Sequence, residues 1–250
     1  KGTPVVNIIE KSPEEKISEI IPVKEFSDNE YLVMVTKNGV IKKTPASEYE
    51  SIRKSGKIAI TLKEGDELIS IFKTTGNDNI FLATRNGMAI CFNENDARAV
   101  GRTASGVKAI DLADGDYVVG AEPVREDSKV LLVTDGGYGK CTDLTSFRIQ
   151  HRGGKGLKAY KITEKTGNII GISMVNDSEE LIMVTSEGVV IRIRIKDIAT
   201  TTGRITQGVR LINLNDGVTV VSMDKISAED TVEEESEENN TEVTAETTEE

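Results

Sequence analysis

The chain has 250 residues, 42 of them acidic and 31 basic, for a formal net charge of −11. Eleven of the acids fall between Ala228 and Glu250, where there is no Lys or Arg, so residues 1–227 balance 31 acids against 31 bases. A body of that size can bury roughly 70% of the surface its unfolded chain exposes. No apolar run reaches the ~20 residues of a membrane helix, no signal peptide opens the chain, and two cysteines do not make a disulfide scaffold. A cytoplasmic, self-folding body with an acidic tail is expected.

An internal repeat organises the body. Residues 1–9 (KGTPVVNII) and Lys16–Val23 match only the second half of a unit that recurs downstream, so the chain is expected to be a fragment that begins inside a repeat. Whole units follow. Each opens on an apolar run into Thr and a short turn ending in Gly: YLVMVTKNG (31–39), IFLATRNG (80–87), VLLVTDGG (130–137) and LIMVTSEG (181–188). The threonines at 36, 84, 134 and 185 are spaced by 48, 50 and 51 residues. A Gly-led strand comes next in each unit: GKIAITL (56–62), GVKAIDL (106–112), GLKAYKI (156–162) and GVRLINL (208–214). The last landmark reads GDELISI (65–71), GDYVVGA (115–121), GNIIGIS (167–173) and GVTVVSM (217–223).

Each unit reads as four short strands. The first is continuously apolar, as a strand covered on both faces should be. Asn38-Gly39 and Asn86-Gly87 predict type I′ hairpin turns, with the Gly-led strand and the last strand completing the same unit. Helical periodicity is weak outside connections such as Ala46–Ile52. Four strands per ~50 residues predict an all-β, propeller-like array of four-stranded blades, a β-pinwheel. A partial blade is placed at 1–30, four blades at 31–79, 80–129, 130–180 and 181–226, and a disordered acidic tail at 227–250.

Catalytic candidates are few. His151 is the only histidine and sits in a Gly- and Arg-rich loop with no nucleophile near it in sequence. Cys91 and Cys141 hold equivalent places in adjacent units, where Lys43 and Arg192 stand in the other two, and read as buried or half-buried thiols in preference to a metal pair. No carboxylate spacing demands acid–base chemistry. Neither enzymatic activity of this piece, nor a cofactor, nor a metal is expected. The loop Gln150-His151-Arg152-Gly153-Gly154-Lys155-Gly156 fails as a P-loop, because Gly156 stands where Ser or Thr is required. Its paired glycines still allow close backbone approach, and Arg152 and Lys155 suit phosphate oxygens. A flexible connection between blades is the alternative reading.

Cations recur with the unit. Arg102, Arg152 and Arg204 each stand four residues before a landmark Gly, and the first unit offers Arg53, Lys54 and Lys57. Hairpin second strands add Lys42, Lys43, Lys140, Arg192 and Arg194; Arg148 and Arg210 complete the candidate set. Fixed offsets predict that they share one rim as a polyanion-binding track, against the alternative of an ordinary mixed-charge surface. Only ten residues are aromatic and none is Trp, which disfavours stacking on single strands and favours duplex DNA held by its phosphates.

GRTASGVKAI (101–110), VTDGGYGK (133–140), GRITQGVRLI (203–212), the Gln150–Gly156 loop and the acidic tail together resemble the C-terminal domain of bacterial DNA gyrase A. The resemblance implies a six-bladed pinwheel, about four and a half blades of it in this chain. It also implies wrapping of DNA around the outer edge, in support of ATP-dependent negative supercoiling by an A2B2 holoenzyme of gyrase A and gyrase B. That enzyme's cleaving tyrosine and ATPase site belong to parts absent here. The family's box reads Gln-Arg-Arg-Gly-Gly-Lys-Gly and lies in its first blade. Gln150–Gly156 departs from it at His151 and lies in a later unit, so it is read as a second, box-like copy. The corresponding domain of topoisomerase IV and a propeller-like protein-interaction scaffold are the alternatives. The tail reads either as a solubilising segment or as eleven carboxylates that compete with DNA for the rim; the second reading is open to test. Removing residues 228–250 should then raise duplex affinity at fixed ionic strength, and an unchanged affinity in a binding titration removes the competitor idea.

Overall fold

The computed structural model describes residues 4, 7–9, 12, 14, 15, 17, 19–51 and 56–227. The half unit expected over 1–30 therefore lies partly outside the described residues, and the tail from Ala228 onward lies wholly outside them. Unit one supplies strands β1 (Tyr31–Thr36), β2 (Val40–Pro45) and β3 (Leu68–Thr74). The second supplies β4 (Asn79–Thr84), β5 (Met88–Asn93), β6 (Val107–Lys108) and β7 (Val118–Pro123). The third supplies β8 (Lys129–Thr134), β9 (Tyr138–Asp143), β10 (Leu157–Lys158) and β11 (Ile169–Val175). To the fourth belong β12 (Glu180–Thr185), β13 (Val190–Arg194), β14 (Thr200–Thr201), β15 (Val209–Arg210) and β16 (Val220–Ile226).

Four sheets form an all-β propeller, in the orders β3-β1-β2-β6, β7-β4-β5-β10, β11-β8-β9 with β14 and β15 on β9, and β16-β12-β13. The pairings are antiparallel except that of β14 with β9. One expectation is corrected here. The Gly-led strand does not complete its own unit: β6, β10 and β15 each pair with the hairpin of the preceding unit. The last strands β3, β7, β11 and β16 lie against their neighbours at the centre, so the borrowed strands form the outer edge.

Backbone proximity explains the glycine at each borrowed strand. A Cβ on Gly106, Gly156 or Gly208 would stand 2.5, 2.4 and 2.4 Å from the carbonyl oxygens of Ile41, Ala89 and Gly139. Those carbonyls occupy equivalent places in the second hairpin strand. All three glycines also have positive φ, at 87°, 73° and 71°, a region costly for residues with a Cβ.

The landmark threonines are buried and close the hairpins. Oγ1 of Thr36, Thr84, Thr134 and Thr185 accepts from the amide four residues on, at 3.2, 3.2, 3.2 and 3.1 Å. The turn is not the expected type I′. Neither Asn38 nor Asn86 has positive φ, and only the following Gly39 and Gly87 do, at 77° and 85°. The Gly amides bond back to the Thr36 and Thr84 carbonyls at 3.0 and 3.1 Å, so a type I turn is followed by a left-handed Gly. Of the connection at Ala46–Ile52, Ala46–Tyr49 is a 3-10 turn.

Three cores lie between successive sheets. Val33, Val35 and Ile41 meet Ile80, Leu82 and Phe92; Phe81 and Cys91 meet Val130, Leu132 and Met174; Leu131 and Cys141 meet Leu181, Met183 and Val220. Middle strands covered on both faces must be apolar throughout, which is why β1, β4 and β8 read as unbroken runs. The fourth sheet has no further sheet on its other side among the described residues, and β13 alternates exposed and half-buried positions. Gly156→Ala should lower stability by about 1–3 kcal/mol for the strained φ alone, with a further loss from the Ala89 carbonyl contact, read from a denaturant midpoint. A midpoint within error of the parent contradicts this account of the strand exchange.

Candidate nucleic-acid interface

The borrowed strands and the loops before them form the outer edge, and two bonds recur along it. Nη1 of Arg102, Arg152 and Arg204 donates to the carbonyls of Ile58, Lys108 and Lys158 at 3.1, 2.9 and 3.1 Å. Each acceptor lies two residues after the landmark Gly of the preceding unit. The amides of Thr61, Asp111 and Lys161 then donate to the carbonyls of Ala104, Gly154 and Thr206 at 3.3, 2.9 and 3.1 Å. Each of the three loops is thus laid onto the strand before it, and the recurring arginine has a structural duty. Its guanidinium stays half-buried; Arg102 also faces the Glu48 carboxylate at 3.8 Å, and Arg152 Nε the Asp96 carbonyl at 2.7 Å.

The box-like loop is held by several further bonds. Gln150 N–H donates to the Cys91 carbonyl at 2.8 Å and Gly153 N–H to that of Ala109 at 2.6 Å. Asp96 receives the Arg152 amide on Oδ2 at 3.1 Å, and its carbonyl receives Arg152 Nε at 2.7 Å. His151 is 99% exposed, with Nδ1 3.3 Å from Asp96 Oδ2. Lys155 is exposed, and a Cβ on Gly154 would meet nothing closer than the His151 carbonyl at 3.9 Å. The backbone at Gly154 is open to a partner. The loop is bonded along its length, unlike the flexible connection that was its alternative reading.

Several expected rim cations are interior. Lys42 and Lys140 are buried; Lys42 Nζ donates to Thr44 Oγ1 at 2.5 Å and to the Ala59 carbonyl at 2.7 Å. Burial, and then the nearby Arg102 or Arg204 charge, pull each ammonium down to about 8. Lys43 is 4% exposed and pairs with the fully buried Glu94 at 2.8 Å, tying the first sheet to the second. Lys43 and Lys140 are covered by the next unit, and Lys42 by Ala59 of its own. Arg192 pairs with Glu180, and Arg194 with Asp197 at 2.7 Å, on the fourth sheet away from the borrowed strands.

Others do lie along the edge. Arg148 is exposed and just precedes the box-like loop; Lys57 donates to the Glu48 carbonyl at 3.2 Å. Arg210, on β15, donates to the Tyr138 hydroxyl at 3.0 and 3.1 Å. Arg53 lies outside the described residues. The sequence reading missed Arg98, exposed at the place equivalent to Arg148, and the exposed Lys108, Lys158 and Lys161. Lys108 and Lys158 share the offset of Arg210, two after the landmark Gly, so the signal was available. Lys108 bonds Asp111 at 2.7 Å, and that contact, followed by the Lys108 and Lys155 charges, holds the Asp111 carboxyl below its ordinary range.

Among the described residues no cluster of three His, Cys, Asp or Glu is placed to hold a metal, and no helix is long and apolar enough to cross a membrane. The family described as DNA gyrase C-terminal domain, beta-propeller, matches residues 30–75, 78–125, 128–176 and 179–227. The chain belongs to that family. It is 49% identical over 230 residues to the DNA gyrase A protein of Clostridium acetobutylicum, and 54% over 230 residues to that of Halalkalibacterium halodurans. In both cases 92% of this chain matches 28% of the relative, so the chain spans little more than a quarter of those proteins. A solved C-terminal domain of DNA topoisomerase IV is similar at a TM-score of 0.86 and 29% identity, over 96% of this chain and 75% of that one. A solved DNA gyrase A C-terminal domain is similar at 0.79 and 25% identity, over 90% and 75%.

Burial pushes the Cys91 and Cys141 thiols up to about 11. Neither should react with an aromatic disulfide reagent in the folded chain at pH 8, and both should react once urea unfolds it. Rapid native labelling contradicts their burial.

Proposed function

We propose that the outer edge binds duplex DNA through its phosphates and bends it along the curve of the array. The observation that carries this reading is the succession of exposed cations on the borrowed strands and the loops that precede them. Among the described residues, Arg98, Arg148, Lys155, Lys158 and Lys161 have no carboxylate partner within 4.0 Å. The half-exposed guanidiniums of Arg102, Arg152 and Arg204 repeat among them. Bending 20–30 base pairs by 40–90° costs on the order of 1–6 kcal/mol, which several phosphate contacts offset. The scarcity of exposed aromatic platforms argues for backbone contacts in preference to stacked single strands.

In this reading residues 1–226 are the wrapping unit and 227–250 the acidic tail. The unit presents DNA to the rest of a gyrase A protein and to gyrase B in an A2B2 holoenzyme, which supercoils negatively with ATP in the bacterial cytoplasm, at the nucleoid. Catalysis resides in the other parts of that assembly. The relatives at 49% and 54% identity support the gyrase assignment, whereas the TM-score of 0.86 keeps topoisomerase IV as the second reading.

Salt dependence tests the phosphate contacts. Engaging six to ten phosphates should lose roughly 10³–10⁵ in affinity between 50 and 200 mM salt. Lys158→Ala and Arg148→Ala should each weaken binding across sequences and flatten the salt slope by about one. No detectable duplex binding at low salt overturns the proposal.

A further inference from the structure

The loops of the outer edge are equivalent in position but are held from below in different ways. Under the box-like loop the Asp96 carboxylate and carbonyl receive Arg152, and the strand position beneath is the apolar Ile90. The place of Asp96 is taken in the next unit by Ser146, which donates to the Thr202 carbonyl at 2.8 Å and offers no carboxylate. There the strand position is Lys140, with no exposed surface. Its Nζ donates to the carbonyls of Arg204 at 2.5 Å and Gly203 at 3.4 Å, and to Thr206 Oγ1 at 3.1 Å. Three N–H groups meet three oxygens of one four-residue stretch.

We infer that Lys140 is a positioning residue that latches the Gly203–Thr206 loop from inside the sheet, so that Arg204 and the following strand β15 are presented to DNA in one shape. The inference rests on the proposed DNA-binding edge. Tyr160, two residues after β10, supports the latch. Its ring lies 5.2 Å from the Lys140 ammonium, and its hydroxyl donates to the Gln207 carbonyl at 2.6 Å. Lys42 holds the equivalent place two units earlier, but its Nζ donates to Thr44 Oγ1 and the Ala59 carbonyl and makes no such latch on the Arg102 loop.

The latch requires the charged form. A neutral amine has two N–H groups and a lone pair, so one of the three oxygens would face the lone pair and be repelled. Burial and then Arg204 bring the ammonium down to about 8, so it is charged at pH 7 and neutral by pH 9. The other groups near it are two tyrosines. Burial pushes Tyr160 up, so it stays protonated, whereas the hydrogen bond from Arg210 pulls Tyr138 down. Tyr138 therefore needs its own control.

The test measures duplex binding by the full chain at fixed ionic strength from pH 7 to 9. Affinity should fall roughly fivefold, the worth of one lost hydrogen bond, with a midpoint near 8. Lys140→Met should bind about fivefold more weakly at pH 7, without that transition. Thr206→Val, which removes one acceptor from the loop side, should weaken binding part-way, and Tyr138→Phe should keep the transition. Amide exchange of Lys161, whose N–H bonds the Thr206 carbonyl, reads the loop without DNA and should quicken in Lys140→Met at pH 7. Wild-type binding by Lys140→Met, or a flat wild-type profile with unchanged Lys161 protection, overturns the latch and leaves the DNA reading intact. Absence of duplex binding by the wild-type chain at every pH overturns the DNA reading and the positioning role with it.

Discussion

The architecture depends on one close contact: a landmark glycine resting on the carbonyl of the preceding unit's second hairpin strand. At Gly106, Gly156 and Gly208 a side chain would stand within 2.5 Å of that oxygen. Without the contact the borrowed strand could not enter its neighbour's sheet. Each unit would then be a three-stranded sheet with the outer strand of its hairpin left as an unpaired edge. Strand exchange makes the array cooperative along the chain. Cores form between sheets, and the buried Lys43–Glu94 pair adds a polar tie that would be costly to break on one side.

The same exchange shapes the chemistry of the outer edge. A strand borrowed from the next unit brings its preceding loop with it, and that loop carries the recurring arginine. Arg102, Arg152 and Arg204 each donate to a backbone carbonyl two residues after the landmark glycine of the preceding unit. A guanidinium suits the task because its planar fork can donate to more than one backbone or carboxylate oxygen at once, as Arg152 does to Lys108 and Asp96. The neighbouring Lys158 and Lys161 are exposed.

A recurring cation has three different fates in this fold. On a borrowed strand it faces outward, as Lys158 does. In the loop before that strand it ties adjacent units together, as Arg152 does. On the second hairpin strand it is enclosed, because the next unit's loop closes over it, as with Lys140. Offsets from the repeat identify which residues are equivalent. They do not say which side of a strand the next unit covers.

The chain's own pattern determined the period, the all-β class, the hairpins at Thr36, Thr84, Thr134 and Thr185, and the covered middle strands. All of these follow from local turn chemistry and from apolar runs within one unit. It also pointed to cations recurring at fixed offsets in each unit and to buried or half-buried thiols. The type I turn with a left-handed glycine was missed because the Asn-Gly pair alone suits two turns of different loop length. Tertiary structure alone decided which unit owns each outer strand, and hence that Lys42, Lys43 and Lys140 lie inside while Arg98, Lys108 and Lys158 lie on the surface. The physical reason is that burial of a side chain depends on what a distant segment lays over it, and strand exchange brings that segment from the next repeat.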